Sequence, residues 1–200
     1  MSRITKQAKQ ATRKRILDAA GSLFKGKGFE QATTRDIAQQ AGIATGTLFN
    51  YFPAKEDIVM TLMTTALDRA AKDFAKQQRT GASLEEDLFL HVATGLRRLK
   101  VHRKYVGPAL ETTLSPLTSS SISTKADAIR IAHLELVQQT ITQHGLVFEV
   151  WTMAMQLYWT LYTGVLTVWV SDSSPKQEDT LAMLDQSIAM YVSWLRDQQE

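Results

Sequence analysis

Two hundred residues suffice for one or two small domains with a buried core. The chain has no cysteine, which excludes disulfides and thiolate metal sites; its polar, basic N-terminus has no apolar run behind it, so no secretory signal is expected and the cytoplasm is the expected compartment. The net charge of +3 hides an asymmetry: residues 1–55 hold ten Lys/Arg against three Asp/Glu, a net of +7, while residues 56–200 hold thirteen against seventeen, a net of −4. A basic head on a mildly acidic body suits a phosphate-binding domain joined to a regulatory one, against the plain alternative of a solvated basic terminus.

Residues 1–10 carry Arg3, Lys6 and Lys9 and few apolar side chains; they read either as frayed or as a basic arm touching phosphates. The first helix is expected over 9–25, where Ile16, Leu17, Ala20, Leu23 and Phe24 repeat on one face. Gly26 and Gly28 stop it, and Phe29 packs under the head. Thr33 then caps a short helix, with Asp36 as the second half of a capping box and Ile37, Ala38 and Ala41 on its buried side. Gly42 supplies the positive φ of a tight turn. Ala44–Asn50 forms a second short helix, with Leu48 inward and Thr45, Thr47 and Asn50 outward. Together these make a helix-turn-helix, whose second helix enters the major groove.

Pro53 closes that helix. The next is expected from Lys55 to about Gln78, long enough to run from the head into the body, and Thr80-Gly81-Ala82 breaks it. Ser83 and Glu86 form another capping box, opening a helix to about Lys100. A shorter helix is expected over 103–113, the longest loop over 112–124, and another helix over 124–144 that ends at Gly145. Val150–Val170 carries no charge over twenty-one residues. That length could span a bilayer, but Gln156, the threonines and the tryptophans dilute it, and a buried core helix is the preferred reading. Ser174, Pro175 and Gln177 read as a cap, a first-turn proline and a capping-box partner for the final helix, about 176–196. That helix has two apolar faces, one of Leu181, Leu184, Ile188, Tyr191 and Leu195, the other of Met183, Met190 and Trp194. No strand alternation or internal repeat is visible; the expected fold is all-α, about nine helices.

The three segments RILDAAGSLFKGKGFEQAT, TRDIAQQAG and GTLFNYFPAKEDIV, from about Thr12 to Val59, resemble the DNA-binding domain of the tetracycline-repressor (TetR) family. The chain departs from that pattern in two places. Ala44 and Thr45 stand where Ser and Lys are usual, and Ala54 where a capping Ser or Asn is usual, a loss worth roughly 1 kcal/mol of helix stability. The resemblance implies an N-terminal helix-turn-helix head over 1–54 and a helical ligand-binding and dimerisation domain over 55–200. It also implies a homodimeric, cytoplasmic repressor that binds a palindromic double-stranded operator and is released by a small hydrophobic effector. An effector-independent DNA-binding protein with an architectural or segregation role is the alternative.

Position by position, the resemblance assigns DNA contacts to Thr33, Thr34, Arg35, Thr45, Gly46, Thr47, Asn50, Tyr51 and Lys55. Phe49 stands where Tyr is common, and Phe52 is read as core. An effector pocket is implied near Trp151, Met155, Tyr158 and Tyr162 on one side of the penultimate helix, with His91, Tyr105 and Glu111 from neighbouring helices; core packing is the plainer reading of such a stripe. Dimer contacts are implied at Ala154, Gly164, Leu184, Ile188, Tyr191 and Leu195. The four histidines lack metal-ligand spacing, GKG at 26–28 is too short for a phosphate loop, and no nucleophile triad can be drawn. Neither an enzyme nor a cofactor nor a membrane partner is expected.

Overall fold

The structure, a computed structural model, describes residues 5–107, 123–148 and 151–199. Eight α-helices have defined bounds: α1 Lys6–Lys27, α2 Thr34–Gln40, α3 Thr45–Phe49, α4 Lys55–Gln77, α5 Leu84–Leu99, α6 Ser123–Gln143, α7 Trp151–Ser171 and α8 Glu178–Asp197. Residues 103–107 are helical as well, and no strand occurs among the described residues. The rest of the helix expected over 103–113, and most of the loop expected over 112–124, lie outside them. The chain divides into two compact units; α4 belongs to the first up to Thr65 and to the second from Ala66. The first unit therefore reaches past the boundary expected at residue 54, and it includes residues 101–107.

The first unit is built on α1. Ile16, Ala20 and Phe24 are fully buried, as are Ile37 of α2, Leu48 of α3 and Phe52 and Ile58 beyond it. Phe24 meets Phe29 edge-on at 5.4 Å and Tyr105 at 5.2 Å between ring centres. Tyr105 is hydrogen-bonded to His102, and burial pushes its phenol above the usual range. α1 starts three residues before the expected position, because the Thr5 hydroxyl accepts from the Ala8 amide and caps it there.

In the second unit α8 packs on α7 and α5, and α5 on α6. Leu88, Val92, Val137, Ile141, Val165, Trp169, Leu184, Ile188 and Leu195 form the core. The Tyr191 hydroxyl donates to the Ala154 carbonyl at 3.1 Å, and Arg196 bridges to Glu85 at 2.9 Å. No helix among the described residues is long and apolar enough to cross a membrane. α7 is not buried all round, however: Met153 is 64% exposed. On its outer side the hydroxyls of Thr160, Thr163 and Thr167 donate back to the carbonyls of Gln156, Thr160 and Thr163.

The start of the last helix differs from expectation. Gln177 is not a capping partner; it takes φ +64°, and Lys176 before it φ +54°. Two successive left-handed residues that are not glycine are held by a neighbour, since each is disfavoured on its own. That neighbour is Asp172. One of its oxygens accepts from the Ser174 amide (2.8 Å) and hydroxyl (2.6 Å), the other from the Thr180 amide (3.0 Å) and hydroxyl. Ser174 in turn accepts from the Asp179 amide at 3.1 Å. These donors hold the Asp172 carboxyl well below the usual carboxylate range, Ser174 first and Thr180 next. A carboxylate depressed in the folded state adds stability above its ordinary pKa, and that stability is lost on acidification. Asp172→Asn should therefore lower the thermal midpoint at pH 7, and the gap to wild type should close as pH falls from about 4 toward 2.

Candidate nucleic-acid interface and effector region

The helix-turn-helix is set by local bonds that the sequence dictates. The Thr33 hydroxyl accepts from the Asp36 amide at 3.1 Å, and Asp36 accepts from the Thr33 amide at 3.0 Å. Lys27, at the end of α1, adds a 2.6 Å ion pair to the same carboxylate. That lysine is the largest cause holding Asp36 well below the usual range, with the Thr33 donors behind it. The two helices are thus joined at one acid. Gly42 turns the chain at φ +66°, and the Ile43 amide donates to the Ala38 carbonyl. α3 then opens at Ala44 with no side-chain cap.

With Leu48 fully buried, the remaining residues of α3 face outward. Gly46 and Asn50 are exposed and Thr45, Thr47 and Tyr51 half-exposed, while Phe49 is 47% exposed. A Cβ added at Gly46 would meet no atom of this chain within 4 Å, so nothing inside the chain requires glycine there. Arg35 is exposed on α2 beside half-buried Thr34. Phe52 is core, as expected, and the Arg13 guanidinium lies 5.0 Å over its ring. Lys55 is engaged within the head: its ammonium donates to the Phe29 carbonyl at 2.7 Å and sits 4.1 Å from that ring's centre. Half of a capping box survives at α4, where the Ala54 amide donates to Asp57 at 3.1 Å with no hydroxyl to complete it.

The expected effector residues are divided between the units. Tyr105 packs in the first, on Phe24, and Glu111 lies outside the described residues. In the second unit His91, Tyr158 and Tyr162 do come together, around a residue that sequence reading missed, His133. His91 Nε2 is 3.2 Å from His133 Nδ1, and His133 Nε2 is 3.0 Å from the Tyr158 hydroxyl. Tyr162 stacks on the His133 ring at 4.3 Å, and Phe74 meets His91 edge-on at 5.3 Å. His91 and His133 come from different helices, so no local spacing could announce the pair. Met155 is buried, and Trp151 packs edge-on against Phe148 at 5.2 Å.

A void of about 10 Å³ borders Tyr158, Tyr162 and Tyr191, room for one water at most. An open groove of about 800 Å³, lined by Arg79, Phe89, Leu90, Arg97 and Asp185 among others, contains none of the expected effector residues. The expected dimer residues Ala154, Leu184, Ile188, Tyr191 and Leu195 are core of this chain, 0–4% exposed. A Cβ at Gly164 would meet Met183 of the same chain at 3.6 Å. Periodicity shows two apolar faces on α8 but not which one the chain covers itself. The face left open carries Met183 and Met190, the latter 59% exposed. Among the described residues no group of three or more His, Asp or Glu could hold a metal.

Residues 16–61 match the family model described as bacterial regulatory proteins, tetR family. Two regulators of Bacillus subtilis, YfiR and YvkB, are 32% and 36% identical over 89 and 93 residues. Those matches span less than half of each relative, 43% and 47%. The fatty acid metabolism regulator protein of B. subtilis is 25% identical over 188 residues, 91% of this chain and 94% of its own. Among solved structures, Thermus thermophilus FadR, a TetR-family repressor in complex with lauroyl-CoA, is similar with a TM-score of 0.70 at 20% identity, over 90% of this chain and 93% of that one. B. subtilis FadR in complex with stearoyl-CoA has a TM-score of 0.62 at 25% identity, over 90% and 97%.

The close-packed surroundings of the histidine pair have a consequence in pH. Burial lowers the His91 pKa to about 4, and burial together with His91 lowers that of His133 well below the ordinary value of 6.5. A histidine depressed in the folded state stays neutral there while the unfolded chain takes up a proton, so stability falls as pH drops below 6.5. Wild type should lose ~2 kcal/mol more than His91→Phe between pH 7 and pH 5, measured by urea unfolding.

Proposed function

The chain belongs to the TetR family of bacterial regulatory proteins, and from that premise we propose that it is a homodimeric repressor that binds a palindromic operator and is released by a small amphiphilic effector. The observation that carries the DNA half is the outward face of α3: small polar side chains and a glycine that the chain's own packing does not require. Base contacts then fall to Arg35, Thr47 and Asn50, and phosphate contacts to Thr33, Thr34 and Tyr51. Lys55 reaches a phosphate only by leaving the Phe29 carbonyl; otherwise it holds the head together. Dimerisation uses the open face of α7 and α8, with Met153, Met183 and Met190, in an isologous contact.

For the effector we propose an acyl thioester or a molecule of similar shape, the class bound in the two FadR structures. His91, His133, Tyr158 and Tyr162 form the polar core such a ligand disturbs. α4 transmits the change: it starts at the head and continues into the second unit. Two heads on a palindrome need about 34–36 Å between them, one turn of duplex. A tilt of α4 moves them off that spacing. The effector shifts the equilibrium only by its differential affinity for the two states, about 1–3 kcal/mol for typical coupling.

Two measurements test this. DNA fragments selected from a random pool should share a palindrome, and Arg35→Ala/Thr47→Ala/Asn50→Ala should lose preference for it; equal preference in the triple variant sinks the assignment. Lauroyl-CoA should bind, followed by tryptophan fluorescence, with a Kd that rises about 5- to 150-fold when the selected duplex is present. Equal Kd with and without DNA would show binding and release to be uncoupled.

A further inference from the structure

We propose that His91 is the polar anchor of the effector: a one-way chain of hydrogen bonds, from Tyr158 through His133, holds its Nδ1–H ready for a carbonyl oxygen. This rests on the reading of the effector as an acyl thioester. His91 Nε2 lies 3.2 Å from His133 Nδ1, and His133 Nε2 lies 3.0 Å from the Tyr158 hydroxyl. His91 Nδ1 is shielded from solvent and meets no hydrogen-bond partner among the described residues. A neutral imidazole carries one N–H and one lone pair on its ring nitrogens, and a phenol carries one hydrogen. Only two arrangements of the protons therefore satisfy both contacts.

In the first, Tyr158 donates to His133 Nε2, His133 Nδ1–H donates to His91 Nε2, and His91 keeps its proton on Nδ1. One donor is left over. In the second the order is reversed: His91 Nε2–H donates to His133 Nδ1, and His133 Nε2–H donates to Tyr158. Two groups are then left over. One is the His91 Nδ1 lone pair; the other is the hydrogen of a phenol that is 3% exposed and makes no other hydrogen bond among the described residues. Each buried polar group without a partner costs free energy, so the first arrangement is the more stable. What the site lacks is an acceptor. The void beside Tyr158 and Tyr162 does not border His91, so a water held there leaves Nδ1 unmet. Phe74 packs on His91, and Tyr162 and Trp159 on His133. Such surroundings suit a neutral carbonyl better than a carboxylate, whose charge would be stripped of water. Phe74 is a residue of α4, so an oxygen bound at His91 acts one ring away from that helix.

The test titrates the full-length protein with lauroyl-CoA and with S-dodecyl-CoA, a thioether of the same length in which a methylene replaces the carbonyl. Wild type should bind the thioether about tenfold more weakly or worse, because a buried donor is then left without its acceptor. In His91→Phe the two ligands should bind with nearly equal Kd. Tyr158→Phe removes the hydroxyl that sets the direction of the chain, so it should narrow the gap although His91 is still present; lost packing alone would weaken both ligands alike. Nitrogen-15 NMR of the wild-type imidazoles should place the His91 proton on Nδ1, and that resonance should move with lauroyl-CoA and not with S-dodecyl-CoA. Equal Kd for the two ligands in wild type, or a His91 proton on Nε2, overturns the anchor and leaves the effector class standing. A wild type that binds neither ligand overturns the acyl-thioester reading and the anchor with it.

Discussion

Five residues cannot hold a helix by themselves. α3 runs only from Thr45 to Phe49 and has no side-chain cap, well below the length at which isolated helices persist in water. It exists because Leu48 within it and Phe52 just beyond it are wholly buried and because it packs on α2. The same burial decides what the helix shows outside. One inward residue in the middle of so short an element leaves every other position facing away from the core. The head's proposed chemistry is thus a by-product of how its smallest helix is held. Phe24, wholly buried against Phe29 and Tyr105, anchors α1 in the same unit, and loss of such a ring costs about 3–5 kcal/mol.

The second unit works under a different constraint. Its core is mostly aliphatic, yet it admits an imidazole pair and three tyrosines. Burial pushes the Tyr158, Tyr162 and Tyr191 phenols up and the His91 and His133 imidazoles down, so all five stay neutral at pH 7. A neutral polar chain can be buried at modest cost when each member finds a partner. His91 Nδ1 does not: it is shielded from solvent and meets no partner among the described residues. An unmet polar atom inside a close-packed region costs about 1–3 kcal/mol, and a ligand that offers the missing partner recovers part of that.

What the sequence makes legible follows the range of the interactions. The head could be read almost residue by residue because its determinants are local: Thr33 with Asp36, Gly42 at the turn, Leu48 inward, Ala54 without a capping hydroxyl. Phe52 as core was legible for the same reason. The Asp172 hub was not. Its partners lie two and eight residues away, and a better-known signature, Ser-Pro followed by a polar residue, lies between them. Gln177 was misread because nothing in its type announces a left-handed backbone. His133 was missed because its partners arrive from other helices. The expected dimer residues are buried within the chain itself, and a degeneracy explains why the sequence did not show it: periodicity finds apolar faces on α8 and cannot rank them.

The threonines of α7 bear on what can cover that helix. Thr160, Thr163 and Thr167 give its outer side a polar composition, and a hydropathy count scores them as wet. Yet each hydroxyl hydrogen already points back into a carbonyl of its own helix, so no donor is left to satisfy and only the oxygen still accepts, beside a methyl group. A surface laid over this side strips little water from the hydroxyl donors, and it meets branched methyl groups spaced a turn apart, much as valines would stand. The helix remains soluble by composition while presenting a face that can dry.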